Sequence, residues 1–222
     1  MVIIKNEYLE VYINKMGAEL EKVLVNNNNI LWERNDTWKG QSPILFPICG
    51  GLKEGIYLND NQKYEMPRHG LARRRIFEVK ELDNDHAVFS LKYDNDTLKI
   101  YPFKFELFVK YSLDKKSLNL EFDIINLDDI SLGEFIKEFK QNETISYQEQ
   151  GIVLSGSNGS LIIKHDMKYM VFWQGESLDL LCIEGWDGLP DEVISSNQFA
   201  EKKDIIIVNN RIKRKYQIEI KK

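Results

Sequence analysis

FKFELFVKYSLDKKSLNLEFDI, residues 103–124, is the stretch that decides the fold class. Phe103, Phe105, Leu107, Val109 and Tyr111 fall on one side, and Lys104, Glu106 and Lys110 on the other. After the turn-like Asp114-Lys115-Lys116, the residues Leu118, Leu120, Phe122 and Ile124 repeat the pattern. A period of two identifies half-buried strands. Two such strands need a second layer over their apolar face, so a large antiparallel β-sandwich is expected.

The same rhythm extends outward. Leu9, Val11 and Ile13 alternate with Tyr8, Glu10 and Tyr12, and Val23–Val25 runs into Asn26–Asn29, a tract suited to a left-handed turn, which predicts a hairpin. Phe89, Leu91 and Tyr93 share a face. Further strand patterns occupy 152–154, 161–163, 170–173, 180–184, 205–208 and 216–220, with Gly156-Ser157-Asn158-Gly159 as a hairpin turn. One place breaks the rhythm: Ser131 to Glu134 has capping-box spacing, and Leu132, Phe135, Ile136 and Phe139 fall at helical spacing, predicting a short helix. With no repeat and no shift in composition, residues 1–222 read as one domain.

Composition narrows the function. A chain of 222 residues with 43% apolar and 29% charged residues is ordinary for a globular protein, and no apolar run approaches a membrane span. The alternating amino terminus reads as a strand rather than a leader, so a cytoplasmic location is expected. A net charge of −5 argues against nucleic acid as a partner. The basic runs Arg73–Arg75 and Arg211–Lys215 read as solvated strand ends. Cys49 and Cys182 read as small buried thiols, and three histidines without zinc-binding spacing make a structural metal unexpected.

Two segments carry groups able to do chemistry. SPILFPICGGLKEGIYLNDNQKYEMPRHGLARRR, residues 42–75, turns at Gly50-Gly51, offers Lys53, and ends in Pro67-Arg68-His69-Gly70. Glycines let backbone approach a ligand closely, and His69 belongs to the residue type that exchanges protons most readily near neutral pH. Taken alone, these residue types fit a surface turn better than a site. In LLCIEGWDG, residues 180–188, Glu184 ends an apolar strand beside Trp186, whose ring is of the kind that stacks on sugars. Alone, this too reads more readily as a strand end beside a core tryptophan.

Together, GQSPILFPICGGLK (40–53), PRHGLAR (67–73) and IEGW (183–186) resemble, in order, the galactose mutarotase-like family, most closely its LacX-type aldose 1-epimerase branch. The resemblance implies a galactose mutarotase-like supersandwich with a sugar site on its concave face. It implies Glu184 as the base that takes the C1 hydroxyl proton of a hexose, and His69 as a hydrogen-bonding partner of the ring. Lys53, Arg68, Glu143 and Trp186 would hold the substrate, and no metal or organic cofactor is implied.

The sequence departs from the family at two places. It lacks the Gly-His-Pro segment that supplies the family's usual proton donor, and Gly185 stands where the family usually has proline. The first departure predicts a sandwich truncated internally, with exposed edges that favour a homodimer. It leaves two readings open: an attenuated aldose 1-epimerase, or a non-catalytic carbohydrate-binding or regulatory module.

Overall fold

The computed structural model of the chain describes residues 1–36, 39–128, 152–156, 159–174, 181–202 and 204–221. The helix expected over 132–139 and the candidate Glu143 lie outside these residues.

Near the amino terminus, β1 (Val2–Lys5), β2 (Leu9–Asn14), β3 (Glu19–Val25) and β4 (Asn28–Asn29) form a four-stranded sheet in that order. Asn26 and Asn27 join β3 to β4 at φ of 50° and 66°. These left-handed values match the turn that the twist of a hairpin prefers, as the asparagine tract predicts.

Next come β5 (Ile56–Asn59) and β6 (Gln62–Glu65), which pair as a small hairpin through Asp60 and Asn61 at φ of 49° and 63°. The larger sheet is built from β7 (Glu78–Leu82), β8 (His86–Lys92), β9 (Phe105–Asp114) and β10 (Ser117–Asn126). It is completed by β11 (Ile152–Gly156), β12 (Gly159–His165) and β15 (Arg211–Lys221). Among the described residues its order is β11-β12-β15-β10-β9-β8-β7. Outside it, β13 (Tyr169–Gln174) pairs antiparallel with β14 (Leu181–Trp186). The run 205–208, expected as a strand, is a connection without regular structure instead. Its residues are half-buried, and the Val208 carbonyl accepts from the side chain of Asn126 rather than joining a ladder.

The two larger sheets pack face to face. Ile4, Val11, Ile13 and Val23 of the first meet Phe89, Val109, Tyr111 and Leu118 of the second in one cluster of buried side chains. The Tyr111 hydroxyl, buried in that layer, donates to the Ala18 carbonyl at 2.7 Å. That bond offsets the cost of burying a polar atom. Burial along β9 alternates strictly from Phe105 to Leu113, and on the apolar face of β10 full burial stops after Leu120. Phe122 and Ile124, on the same face, instead line a hollow at one end of the sheet.

A helix, α1 (Asn95–Ile100), follows β8, and the Asp94 side chain caps it by accepting from the amides of Asp96 and Thr97. A second cluster, Ile48, Tyr57, Met66 and Phe199, sits beneath the β5–β6 hairpin. At the far edge, the pairing of β7 with β8 is broken by a bulge between Val79 and Glu81.

Candidate active site

The 42–75 segment folds back on itself so that its two glycine-bearing turns touch. Phe46 bridges Gly70, and the Phe46 carbonyl accepts from the amides of Leu71 at 2.8 Å and Ala72 at 3.2 Å. Gly70 has φ +74°, and a Cβ there would lie 2.1 Å from the Phe46 oxygen. Only glycine allows this approach.

His69 is itself left-handed, at φ 67°. Such strain in a non-glycine residue persists where surrounding bonds fix it, and here they do. The His69 amide donates to the Gly50 carbonyl at 2.8 Å, and the Gly50 amide donates to His69 Nδ1 at 3.1 Å. Arg68 Nε lies 3.2 Å from Nε2. A neutral imidazole has one acceptor nitrogen, so both contacts cannot be hydrogen bonds at once. The Gly50 amide is held in place by the return bond from the His69 amide to the Gly50 carbonyl, whereas Arg68 is an exposed, long side chain. We therefore assign the acceptor to Nδ1 and the proton to Nε2. Burial, with the charges of Arg68 and Arg73 adding to it, pushes the imidazole down to about 4, so the ring is neutral at physiological pH.

Glu184 arrives from the other end of the chain on β14. Glu184 and Trp186 are two residues apart and so share one face of their strand. The Trp186 indole N–H donates to Glu184 Oε2 at 3.0 Å, and its ring meets His69 edge to face with centroids 5.9 Å apart. Trp186 is only 7% exposed, so it links Glu184 to His69 rather than presenting an open stacking face. His69, Arg68, Glu184 and Trp186 all line one hollow of about 1260 Å³.

Close to the carboxylate, the Tyr216 hydroxyl donates to the Ile183 carbonyl at 2.9 Å, and burial together with the Glu184 charge pushes that phenol up. Cys49 and Cys182 are free and half-buried in the same wall. Burial pushes the Cys49 thiol up to about 11, leaving it an unreactive thiol. Gly185 sits tightly against its neighbours. A Cβ there would meet Met167 Sδ at 2.3 Å and His165 Cγ at 3.2 Å, so a larger residue would have to displace the Met167 side chain.

Lys53 is placed differently from the other candidates. Its ammonium donates to the Ser195 carbonyl at 3.1 Å, and it is not among the residues that line the hollow. Asp187 is engaged by Arg214 at 2.8 Å and by the Lys168 amide at 3.1 Å. Arg73, read in the sequence as part of a solvated strand end, stands in the wall of the hollow instead. Nothing in a run of three arginines marks which one turns inward. The 3-10 turn Ala72–Arg74 decides it.

The sequence model of the family described as aldose 1-epimerase matches residues 1–135. The chain belongs to the aldose 1-epimerase family. The chromosomal and plasmid forms of Protein LacX from Lactococcus lactis subsp. lactis are each 36% identical to it over 132 residues. Those matches cover 56% of this chain and 44% of the relatives, so less than half of their length is represented.

The likeness in fold reaches further than the likeness in sequence. A galactose mutarotase related enzyme from Lactobacillus acidophilus superposes with a TM-score of 0.84 at 21% identity, covering 99% of this chain and 97% of the other. A galactose mutarotase-like protein from Lactobacillus casei gives 0.78 at 20%, covering 99% of each. The fold of this family member is thus the all-β, galactose mutarotase-like sandwich, and it brings the carboxylate and imidazole segments into one wall.

Proposed function

We propose that this chain is an aldose 1-epimerase that interconverts the α and β anomers of a hexose by acid–base ring opening. Glu184 takes the proton of the C1 hydroxyl as the C1–O5 bond breaks. The proton on His69 Nε2 hydrogen-bonds O5 and stabilises its developing negative charge. Rotation about C1–C2 exposes the other carbonyl face, and reclosure returns the proton from Glu184. Arg68 reaches hydroxyls at the mouth, and Glu143, on residue type, is proposed to join it. Trp186 fixes the base against the imidazole, and Lys53 acts through the loop it holds. Residues 1–222 are proposed to work as one domain.

The observation that carries this reading is the contact chain Glu184–Trp186–His69 in the wall of one hollow. Freshly dissolved glucose or galactose followed by polarimetry tests it. The wild-type chain is expected to speed the relaxation of optical rotation, and Glu184→Gln to lower the rate by ~10²–10⁴-fold, the usual contribution of a positioned acid or base. Equal rates for wild type, variant and buffer would remove the catalytic assignment.

A specific observation favours a second reading. The sequence contains no Gly-His-Pro, and apart from His69 its histidines are His86, on β8, and His165, whose ring nitrogens are buried behind Gly185. A site that keeps its base but lacks a dedicated donor fits a sugar-binding module. Saturable hexose binding by calorimetry without acceleration selects that reading. A cytoplasmic location is proposed. So is a homodimer, supported by Phe172 and Leu181, which are 52% and 48% exposed on the β13–β14 pair. A monomer in light scattering at high concentration counts against the dimer.

A further inference from the structure

The hydrogen bond that fixes the His69 tautomer comes from Gly50, and Gly50 has no regular secondary structure to hold it. Its support comes from the distant segment that begins at Pro190. The Pro190 ring packs on Gly50 so closely that a Cβ there would lie 2.4 Å from Pro190 Cγ. The next residue, Asp191, makes three bonds. Its amide donates to the Gly51 carbonyl at 3.0 Å, its Oδ2 accepts from the Lys53 amide at 3.0 Å, and its Oδ1 accepts from Lys202 Nζ at 2.6 Å. The two charged side chains of that last bond are each 5% exposed. Lys53 closes the clasp from the other side through its ammonium on Ser195.

We propose that Asp191 is a positioning residue for the site: its carboxylate, anchored by Lys202, locks the Gly50–Lys53 turn so that the Gly50 amide stays on His69 Nδ1 and the ring presents Nε2–H to the hollow. A buried charge held on both oxygens is far more than a surface loop needs. Burying an ion pair is costly unless its geometry and remaining hydrogen bonds are satisfied. Here the second oxygen is spent on a backbone amide of the turn that orients the imidazole. The clasp also gives Lys53 a use that involves no sugar. The catalytic value of the clasp rests on the function proposed above, but its effect on the ring does not.

The test is ¹⁵N NMR of the histidine rings in the full chain, where three histidines make assignment by single substitution direct. Wild type is expected to show His69 as a single tautomer with Nδ1 unprotonated. In Asp191→Ala/Lys202→Met, which strands no buried charge, the two His69 ring signals are expected to move toward a tautomer average. Asp191→Asn/Lys202→Met, which keeps an acceptor for the Lys53 amide, is expected to restore them. Lys53→Pro removes the donor and leaves the buried pair intact, and it should act like the alanine double variant. Proline is tolerated at the start of a short turn after an extended residue, and Leu52 is extended at ψ 153°.

Wild-type His69 carrying its proton on Nδ1 would overturn the inference. So would wild-type ring signals in either folded clasp-breaking variant, or failure of the asparagine variant to restore them. If the ring responds but wild type does not accelerate mutarotation, the catalytic reading fails and the positioning stands. Where turnover is measurable, kcat is expected to fall ~10–100-fold in the clasp-breaking variants, in line with loss of orientation. Turnover that persists alongside unmoved ring signals overturns the positioning alone.

Discussion

Replacing Gly70 by alanine should be among the most damaging one-carbon changes in this chain. Alanine in the left-handed region costs ~1–2 kcal/mol. The new Cβ would lie 2.1 Å from the Phe46 carbonyl oxygen, and the obstruction is backbone, which cannot swing aside as a side chain would. Relief requires the two strands of the segment to part, which breaks the bonds from Leu71 and Ala72 to that oxygen. Each such bond contributes ~0.5–1.5 kcal/mol. The sum is ~2–5 kcal/mol, a large part of the ~5–15 kcal/mol by which domains are stable.

Urea unfolding followed by far-UV circular dichroism measures it. With a slope of ~2 kcal/mol/M, the midpoint should fall by ~1–2.5 M. Gly51→Ala is the control, because a Cβ there meets no described residue within 4 Å and its φ is not left-handed. Its stability should stay within ~0.5 kcal/mol of wild type. If Gly70→Ala were as stable as Gly51→Ala, the close approach of the 46 and 70 turns would be wrong, and the placement of His69 with it.

Other outcomes follow from single contacts. The folded His69 value of about 4 lies below its ordinary 6.5, so between those values the unfolded chain binds more protons. The contribution of His69 to stability is therefore complete above about 6.5 and is withdrawn as pH falls toward 4. Screening of this half-exposed ring limits the loss to ~1 kcal/mol, and His69→Gln should flatten that part of the stability–pH curve. Tyr111→Phe removes the 2.7 Å bond to Ala18 inside the core and should cost ~1–2 kcal/mol in the same urea assay. Arg211 Nε, at 2.6 Å, holds the Asp123 carboxyl below its usual range. That contribution is present above the unfolded value of ~3.9 and is lost as pH falls through the lower folded value. Arg211→Ala should therefore lower stability at pH 7, and its thermal melt should converge on wild type in strong acid.

What the sequence reveals depends on how local the cause is. β9 and β10 are legible because alternation over ten residues leaves one apolar face, and that face meets a sheet. The asparagine turn is legible because few residues accept left-handed φ. The β5–β6 hairpin is not, since Gln62–Glu65 carries no alternation and its apolar partners, Tyr57 and Met66, pack in a small separate cluster. Residues 205–208 mislead for the opposite reason: an apolar run serves equally well as half-buried wall without a ladder. In the site, His69 and Glu184 stand in distinctive surroundings, whereas Asp191 and Lys202 gain meaning only from a pairing made across the fold. Arg73 is set apart from its neighbours by a turn of three residues, too short to leave a pattern.

The bulge in β7 governs how this molecule can grow. Between Val79 and Glu81 the strand that is outermost among the described residues stops offering evenly spaced donors and acceptors, and Glu78, Lys80 and Glu81 crowd the same rim. An incoming ribbon would find its register interrupted and its own charges opposed there. Lateral stacking of subunits through that flank is therefore blocked, and a fibre templated on it should not nucleate even when the protein is concentrated.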